Sequence, residues 1–308
     1  MRTKAPSATW ASEPQHPLTY QSATIATHCG SHPSRFMNSP SQISQHESSA
    51  ANDRRLGAVA RLYGAEGFAR IRAAHAVIVG IGGVGSWVAE ALARSGVGCI
   101  TLIDLDVVAE SNLNRQAHAT IATLGCNKVT AMRDRIESFA PDCVVTCVDD
   151  FVDTNNVAAM LPVNASFVID AIDKVYAKAA LIAHCVKSSL PVIVCGGVGG
   201  KTDATQLTVS DLAFTEQDAL LAKLRLMLRR EYGFPRAGRK FKVTVVYSKE
   251  RQSGSAEDSG AGLACAGYGS AMHMTAGLGM FVAGCALDLV VADTDDAERA
   301  ALSDACVP

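Results

Sequence analysis

Four glycines, Gly80, Gly82, Gly83 and Gly85, fall in the run Val79-Gly80-Ile81-Gly82-Gly83-Val84-Gly85. The apolar segment Ala76 to Val79 precedes the turn, and residues 85 to 95 read as a helix after it. Glycines at a strand-to-helix turn let the backbone bend tightly and approach a phosphate. The helix N-terminus then presents free N–H groups and positive potential. Asp104 lies 19 residues beyond Gly85, at the end of the next apolar run. A carboxylate at that place accepts hydrogen bonds from both ribose hydroxyls. These features specify a nucleotide but not which one, because a nicotinamide-dependent enzyme begins in the same way.

The residues that follow favour ATP. They are Asp104-Leu105-Asp106, then Ser111-Asn112-Leu113-Asn114-Arg115-Gln116, Leu124-Gly125-Cys126-Asn127-Lys128 and Asp170-Ala171-Ile172-Asp173. Hydride transfer has no use for an arginine and a lysine here. Adenylation does: when a carboxylate attacks the α-phosphate and pyrophosphate leaves, negative charge builds on the phosphoryl oxygens, and fixed cations offset it. Arg115 and Lys128 are those cations, and Asp173 is the residue to hold a Mg2+ that bridges phosphates. Arg115, Lys128 and Asp173 are therefore the catalytic candidates, with Asp173 the metal ligand. The ATP contacts are Gly80, Gly82, Gly83, Gly85, Asp104, Asp106, Asn112, Asn114, Arg115 and Lys128. Taken singly, each polar member is more often a surface ion or a helix cap. The ordered series beside a glycine-rich turn is what points to function.

Alternating elements must position these residues. A helix is expected over residues 54 to 73, with Leu56, Val59, Leu62 and Tyr63 as its apolar stripe. Short apolar runs at Ala76–Val79, Cys99–Ile103, Val144–Val148, Phe167–Ile169 and Val192–Cys195 read as buried strands. Helices are expected between them, over 85 to 95, 127 to 139 and 175 to 188. This alternation predicts an α/β, Rossmann-like, mostly parallel sheet. After Gly200 the pattern changes. Gln206–Val209 and Val243–Tyr247 read as strands of an antiparallel C-terminal extension, with a helix over 217 to 230 between them. Residues 249 to 262 read as a loop, and a last helix covers roughly 270 to 292.

The 308 residues, 48% of them hydrophobic, suffice for a sizeable core, and the net charge of -2 points to neither nucleic acid nor membrane as a global partner. Ten cysteines without a preceding signal peptide, several in apolar runs (Cys99, Cys147, Cys195), fit buried thiols in a reducing cytoplasm. Residues 1 to 51 are rich in Ser, Gln, His, Pro and Ala and are expected to be a disordered tail. Residues 52 to 295 form the adenylating domain, and 296 to 308 a flexible C-terminal tail. The apolar segment 271 to 292 reaches the length of a membrane span. Its His273, Asp288 and three glycines, and its lack of flanking basic anchors, argue for a buried or interface helix instead.

At the residues quoted above the chain resembles the ubiquitin-activating-enzyme-like superfamily, which includes the ThiF and MoeB adenylyltransferases. The resemblance covers most of residues 53 to 292. Within it, the chain is most similar to the tRNA threonylcarbamoyladenosine dehydratase branch. That similarity rests on Arg61-Leu62-Tyr63-Gly64, Gly82-Gly83-Val84-Gly85-Ser86-Trp87 and Asn114-Arg115-Gln116. It continues through Val148-Asp149-Asp150-Phe151-Val152, Asp170-Ala171-Ile172-Asp173, the segment from Lys178 to Ala183, and Cys265-Ala266-Gly267-Tyr268-Gly269. The resemblance implies that Gly83 lies against the phosphates of ATP and Asp104 on its ribose. It implies that Asn112 and Arg115 contact the triphosphate beside Lys128, and that Asp173 binds Mg2+. It also implies a homodimer in which Arg55 or Arg61 reaches a partner's γ-phosphate, a tRNA bound at its anticodon region, and proteins of a cysteine-desulfurase system as partners. Lys174 departs from the Asn that many sulfur-carrier activators have.

The paired Cys-x-x-Cys motifs that hold structural zinc in sulfur-carrier activators are missing from the sequence, and Cys143-Val-Val-Thr-Cys147 has the wrong spacing. Cys195 reads as a buried thiol, and Cys265 lies in a glycine-rich turn. Lys223, Arg225, Arg229, Arg230, Arg236, Arg239, Lys240 and Lys242 fall within twenty residues opposed only by Glu231. They read either as a phosphate-backbone surface or as a solvated helix face. The rival functions are activation of a ubiquitin-like sulfur carrier, nicotinamide-dependent oxidoreduction, and a non-catalytic scaffold. Because residues 1 to 50 lack the apolar content to join a core, deleting them is expected to leave ATP-dependent turnover and Tm nearly unchanged. A large loss of turnover in the truncated protein would make the tail a working part.

Overall fold

The structure, a computed structural model, describes residues 54–236, 238–253 and 268–292. The expected tails, most of the loop expected at 249 to 262, and Cys265 lie outside the described residues. Seven strands form one sheet: β1 (His75–Val79), β2 (Cys99–Ile103), β3 (Val144–Val148), β4 (Phe167–Asp170), β5 (Val192–Cys195), β6 (Leu207–Asp211) and β7 (Thr244–Ser248). Their spatial order is β3-β2-β1-β4-β5-β7-β6. Every pairing is parallel except β6 with β7. The expected extension is thus antiparallel in one strand only. β7 continues the parallel sheet beside β5, and β6 folds back along it as the edge.

Helices cover both faces. They are α1 (Gly57–Ala73), α2 (Gly85–Arg94), α3 (Lys128–Glu137), the single turn α4 (Val157–Met160), α5 (Val175–Lys187), α6 (Ala219–Glu231) and α7 (Met272–Val291). The two-residue period of the strands divides the core. Ala76 and Ile78 of β1 pack with Val88, Leu92, Met132 and Leu278 on one face. Val77 and Val79 pack with Leu181, Ile182, Leu224 and Tyr247 on the other. Strands covered on both sides carry unbroken apolar runs, as β4 and β5 do, and this made them legible.

One helix, α1, departs from expectation, and the last, α7, is buried as expected. In α1, Gly64 takes φ 71° and ψ 171° and breaks the helix. The expected stripe fails at Leu62, which is 75% exposed although it lies before the break, while the buried residues, Gly67, Phe68 and Ile71, lie beyond it. α7 is long and apolar enough to cross a membrane, yet it is a core element. Met274, Leu278, Val282 and Ala286 are fully buried. A side chain at Gly279 would lie 2.9 Å from Trp87 Cβ and 3.1 Å from the Val84 oxygen. The glycine therefore lets α7 seat directly on α2, at the mouth of the glycine turn.

Candidate active site

The strand order reverses between β1 and β4, where β2 follows on one side and β5 on the other. At such a switch point the connections leaving the carboxyl ends diverge and leave a crevice. Here the crevice is a cavity of about 460 Å3, within the range of small-molecule sites. Its lining contains Gly80, Gly82, Gly83, Asp104, Asp106, Asn112, Arg115, Lys128 and Asp173. Residues separated by up to 93 positions in sequence (80 to 173) thus meet at one place.

The glycine turn forms the floor. Gly80 has φ 91°, and its N–H donates to the Ile103 carbonyl at 2.9 Å. The Ile81 N–H donates to Asp104 Oδ2 at 2.6 Å, and the Asp106 N–H to Asp104 Oδ1 at 2.8 Å. Asp104 is therefore fixed at the end of β2 against the turn. Burial pushes its carboxyl above the usual range, with the Lys128 charge and the two N–H donors pulling it back. The N-terminus of α2 has no side-chain cap, so it offers its positive end to the cavity.

The cations have independent supports. Lys128 opens α3, its side chain buried at 8% exposure, with Nζ 2.6 Å from the solvent-exposed Asp106 carboxylate. Its own N–H donates to the Asp106 carbonyl at 3.0 Å, and a Val107–Asn127 bridge ties the two segments together. Arg115 donates to the Ser111 carbonyl at 2.8 Å and to Asn114 Oδ1 at 2.9 Å. Its own carbonyl accepts from the Trp87 indole at 2.8 Å, which pins it to α2. Asn112 is largely buried, and its Oδ1 accepts from the Ala109 N–H. Asp173 stands exposed where β4 passes into α5, beside the equally exposed Lys174.

Two candidates fall outside the lining. Asn114 braces Arg115 and donates to the Ser270 carbonyl at 3.2 Å. Gly85 lies behind the turn, where a Cβ would meet the Gly80 oxygen at 1.9 Å. Its glycine character serves backbone packing. Neither Arg55 nor Arg61 lines the cavity; Arg55 pairs with Asp142. Cys195 does line it, and burial pushes its thiol up to about 12, so it stays protonated and is no nucleophile at neutral pH.

Several parts of the site were not named as site residues from the sequence. Ile103, Leu105, Phe151 and Val152 make an apolar wall beside Asp104. Gly197, after β5, donates its N–H to Asp218 Oδ2 at 2.8 Å, and Asp218 also caps α6 through the Leu221 N–H. Lys178, fully buried in α5, lies 3.0 Å from Asp170 Oδ1 beneath the crossover from β4. A lysine inside the apolar run Ala177 to Ile182 was the available signal.

Residues 53–237 match the sequence model of the ThiF family. The chain belongs to the ThiF family. It is 43% identical to the tRNA threonylcarbamoyladenosine dehydratase of Haemophilus influenzae, over 77% of this chain and 93% of that protein. The Escherichia coli dehydratase is 50% identical over 64% of this chain and 74% of its own length. The crystal structure of that E. coli enzyme, TcdA, in complex with ATP superposes with a TM-score of 0.73. It has 44% identity and covers 80% of this chain and 96% of that chain.

The glycines of this ThiF-family turn divide into two kinds, and substitution separates them. A Cβ on Gly85 would collide with the backbone, whereas one on Gly82 would meet nothing within 4 Å. Gly85→Ala is expected to cost about 3 kcal/mol, at the upper end of overpacking effects, and to lower Tm by about 6–12 °C. Gly82→Ala is expected to stay within about 1 kcal/mol of wild type. Equal melting temperatures for the two variants would show that the turn is free to open.

Proposed function

We propose that this protein uses ATP to dehydrate the threonylcarbamoyladenosine of tRNA to its cyclic, hydantoin-type form. The observation that carries the reading is the agreement of two facts. The relatives that the chain covers over most of their length are named for this dehydration. The cavity also gathers the charged set that an adenylation needs.

The apolar wall of Ile103, Leu105, Phe151 and Val152 suits the adenine, Asp104 the ribose hydroxyls, and Gly82, Gly83 and the α2 N-terminus the phosphates. The threonyl carboxylate attacks the α-phosphorus and pyrophosphate departs, leaving an acyl adenylate. Arg115 and Lys128 stabilise the charge on the phosphoryl oxygens as it grows. The carbamoyl nitrogen then attacks the activated carbonyl carbon, a proton leaves that nitrogen, and AMP departs as the ring closes. Both ends of the ring belong to one substituent, so good intramolecular orientation contributes about 7–11 kcal/mol. No cysteine takes part, in keeping with the protonated Cys195.

Among the described residues there is no group of three or more His, Cys, Asp or Glu that could hold a metal ion. Asp173 lines the cavity on the crossover out of β4, apart from Asp104 and Asp106, and one carboxylate plus substrate phosphates is how proteins commonly hold Mg2+. Bound there with ATP, Mg2+ would neutralise phosphate charge. A homodimer is in keeping with the apolar side chains that α1 and α7 leave exposed, Leu62, Met280, Phe281 and Leu289. A cytoplasmic location is in keeping with a tRNA substrate. A cysteine-desulfurase partner rests on the family resemblance alone.

The reading is tested by incubating the protein with ATP and either threonylcarbamoyladenosine-containing tRNA or a ubiquitin-like sulfur carrier, and following AMP and the nucleoside. AMP and cyclic nucleoside are expected with the tRNA alone; turnover with the carrier instead would make the protein an adenylyltransferase of carriers. In the same assay, Arg115→Ala and Asp173→Ala are expected to lower kcat on the order of a hundredfold or more while the fold survives. A variant that turns over at the wild-type rate removes its residue from the mechanism.

The basic segment of α6 and the loop after it are the candidate tRNA surface. Arg225 donates to the Thr215 hydroxyl, and Arg229 donates to the Pro235 carbonyl and stacks on Phe241, so these two serve the fold. Lys223, Arg230, Arg236, Arg239, Lys240 and Lys242 are exposed. Leu220, on the same helix, lines the cavity, about 15 Å of helix away from Arg230. Changing Arg230, Arg236 and Arg239 to Ala is expected to weaken tRNA binding and to reduce the slope of log affinity against log salt by about one for each lost phosphate contact. ATP affinity is expected to hold. Unchanged tRNA binding at low and high salt would assign the segment to solvent.

A further inference from the structure

The chain between β4 and α5 carries Asp173 into the cavity, and a single buried cation organises that passage. Lys178 and Asp170 are both fully buried. The Lys178 ammonium has three protons to donate, and three oxygens surround it. Asp170 Oδ1 lies at 3.0 Å, the Asp170 carbonyl at 3.1 Å and the Ile172 carbonyl at 3.1 Å. Asp170 Oδ1 in turn accepts from the Ile172 N–H at 3.2 Å. The residue between, Ala171, donates its N–H to the Val79 carbonyl at 2.9 Å and crowds the turn so closely that a Cβ on Gly80 would lie 2.8 Å from its oxygen. The crossover is thus clamped to the glycine turn on one side and to Lys178 on the other, and the next residue along is Asp173.

We propose that Lys178 is a positioning residue of the adenylation site: by holding the carbonyls of Asp170 and Ile172, it sets the Asp173 carboxylate at a fixed place relative to the phosphate loop. The alternative role for such a pair is support of the fold alone. A buried ion pair is weak evidence for stability, because removing both charges is often tolerated while removing one is costly. That asymmetry separates the roles. Lys178 also does something Asp170 does not need for its own neutralisation, since two of its three partners are main-chain carbonyls of the segment leading to Asp173. Among the described residues Asp170 Oδ2 has no hydrogen-bond partner and Lys178 is the carboxylate's only ionic support. Lys178→Met alone would leave that charge bare and confound folding with function.

The informative variant is therefore Lys178→Met combined with Asp170→Asn, which removes both charges. Lys178→Met alone serves as the unbalanced control. This inference rests on the adenylation reading and on Asp173 as the Mg2+ ligand. Three quantities are read: Tm, the affinity for ATP by calorimetry with Mg2+ and with EDTA, and kcat for AMP formation on modified tRNA. The paired variant is expected to melt well above Lys178→Met and near wild type. Its ATP affinity in EDTA is expected to match wild type, while the gain in affinity on adding Mg2+ shrinks and kcat falls by about 10–100-fold, as for other residues that hold a metal ligand in place. A paired variant that keeps the wild-type Mg2+ gain and kcat overturns the positioning role. So does one that loses ATP affinity equally with Mg2+ and EDTA, which marks a general loss of structure. Wild-type protein with no Mg2+ gain at all contradicts the assignment of Asp173 instead, and wild-type protein that forms no AMP contradicts the adenylation reading.

Discussion

At Gly80 and Gly85 the backbone of the glycine turn has no room to spare, and the rest of the site is built on that. The Gly80 oxygen occupies the space where a side chain on Gly85 would begin, and the Ala171 carbonyl occupies the space beside Gly80. Three segments therefore meet main chain to main chain at the carboxyl ends of β1 and β4: the end of β1, the start of α2 and the crossover out of β4. Close backbone contact leaves few alternative arrangements, so N–H groups that face a phosphate are fixed before any ligand arrives. Preorganisation of this kind is what lets electrostatic stabilisation act without reorganisation cost at the moment of reaction. α7 completes the junction from outside, seated on Trp87 and Val84 through Gly279.

Charge is arranged on that frame in a graded way. The buried charges, Asp170 and Lys178, face each other and the backbone, away from solvent. Asp104 is half-buried and held by two N–H donors, so its oxygens are fixed in direction. Arg115 and Lys128 are anchored through their own main chains while their charged ends reach the cavity. Lys128, itself buried, leans on Asp106, a carboxylate that stays exposed to solvent. A triphosphate entering the cavity would offer Lys128 a stronger partner. Both cations line the cavity with their main chains fixed, Arg115 donating to the Ser111 carbonyl and Asn114 and Lys128 to Asp106.

Much of this was legible in the sequence, for identifiable reasons. β2, β3 and β5 begin and end where their apolar runs do, and the glycine turn, Asp104, Arg115, Lys128 and Asp173 converge on one cavity as the motif order implied. Motifs carry such information because they fix both residue type and place along a strand-turn-helix unit. What the sequence hid is long-range. Gly85 and Gly82 look alike in sequence, and only the fold shows that one packs on backbone and the other faces space. β7 reads like β6, and only pairing shows it to be parallel. The apolar stripe expected in α1 stopped at Tyr63, whereas the buried residues, Gly67, Phe68 and Ile71, follow the break at Gly64, and Leu62 faces solvent. The basic segment reads as uniform, yet Arg225 and Arg229 spend their donors inside the fold.

The central claim is that this site activates a carboxylate on tRNA so that it closes on its own carbamoyl group. Mass spectrometry of tRNA nucleosides from cells with and without the gene tests that claim most directly, provided tRNA is isolated under conditions that spare the ring. The account predicts the cyclic nucleoside in cells that carry the gene. Cells without it are predicted to hold only threonylcarbamoyladenosine, heavier by one water. Cyclic nucleoside at the same level in both would contradict it.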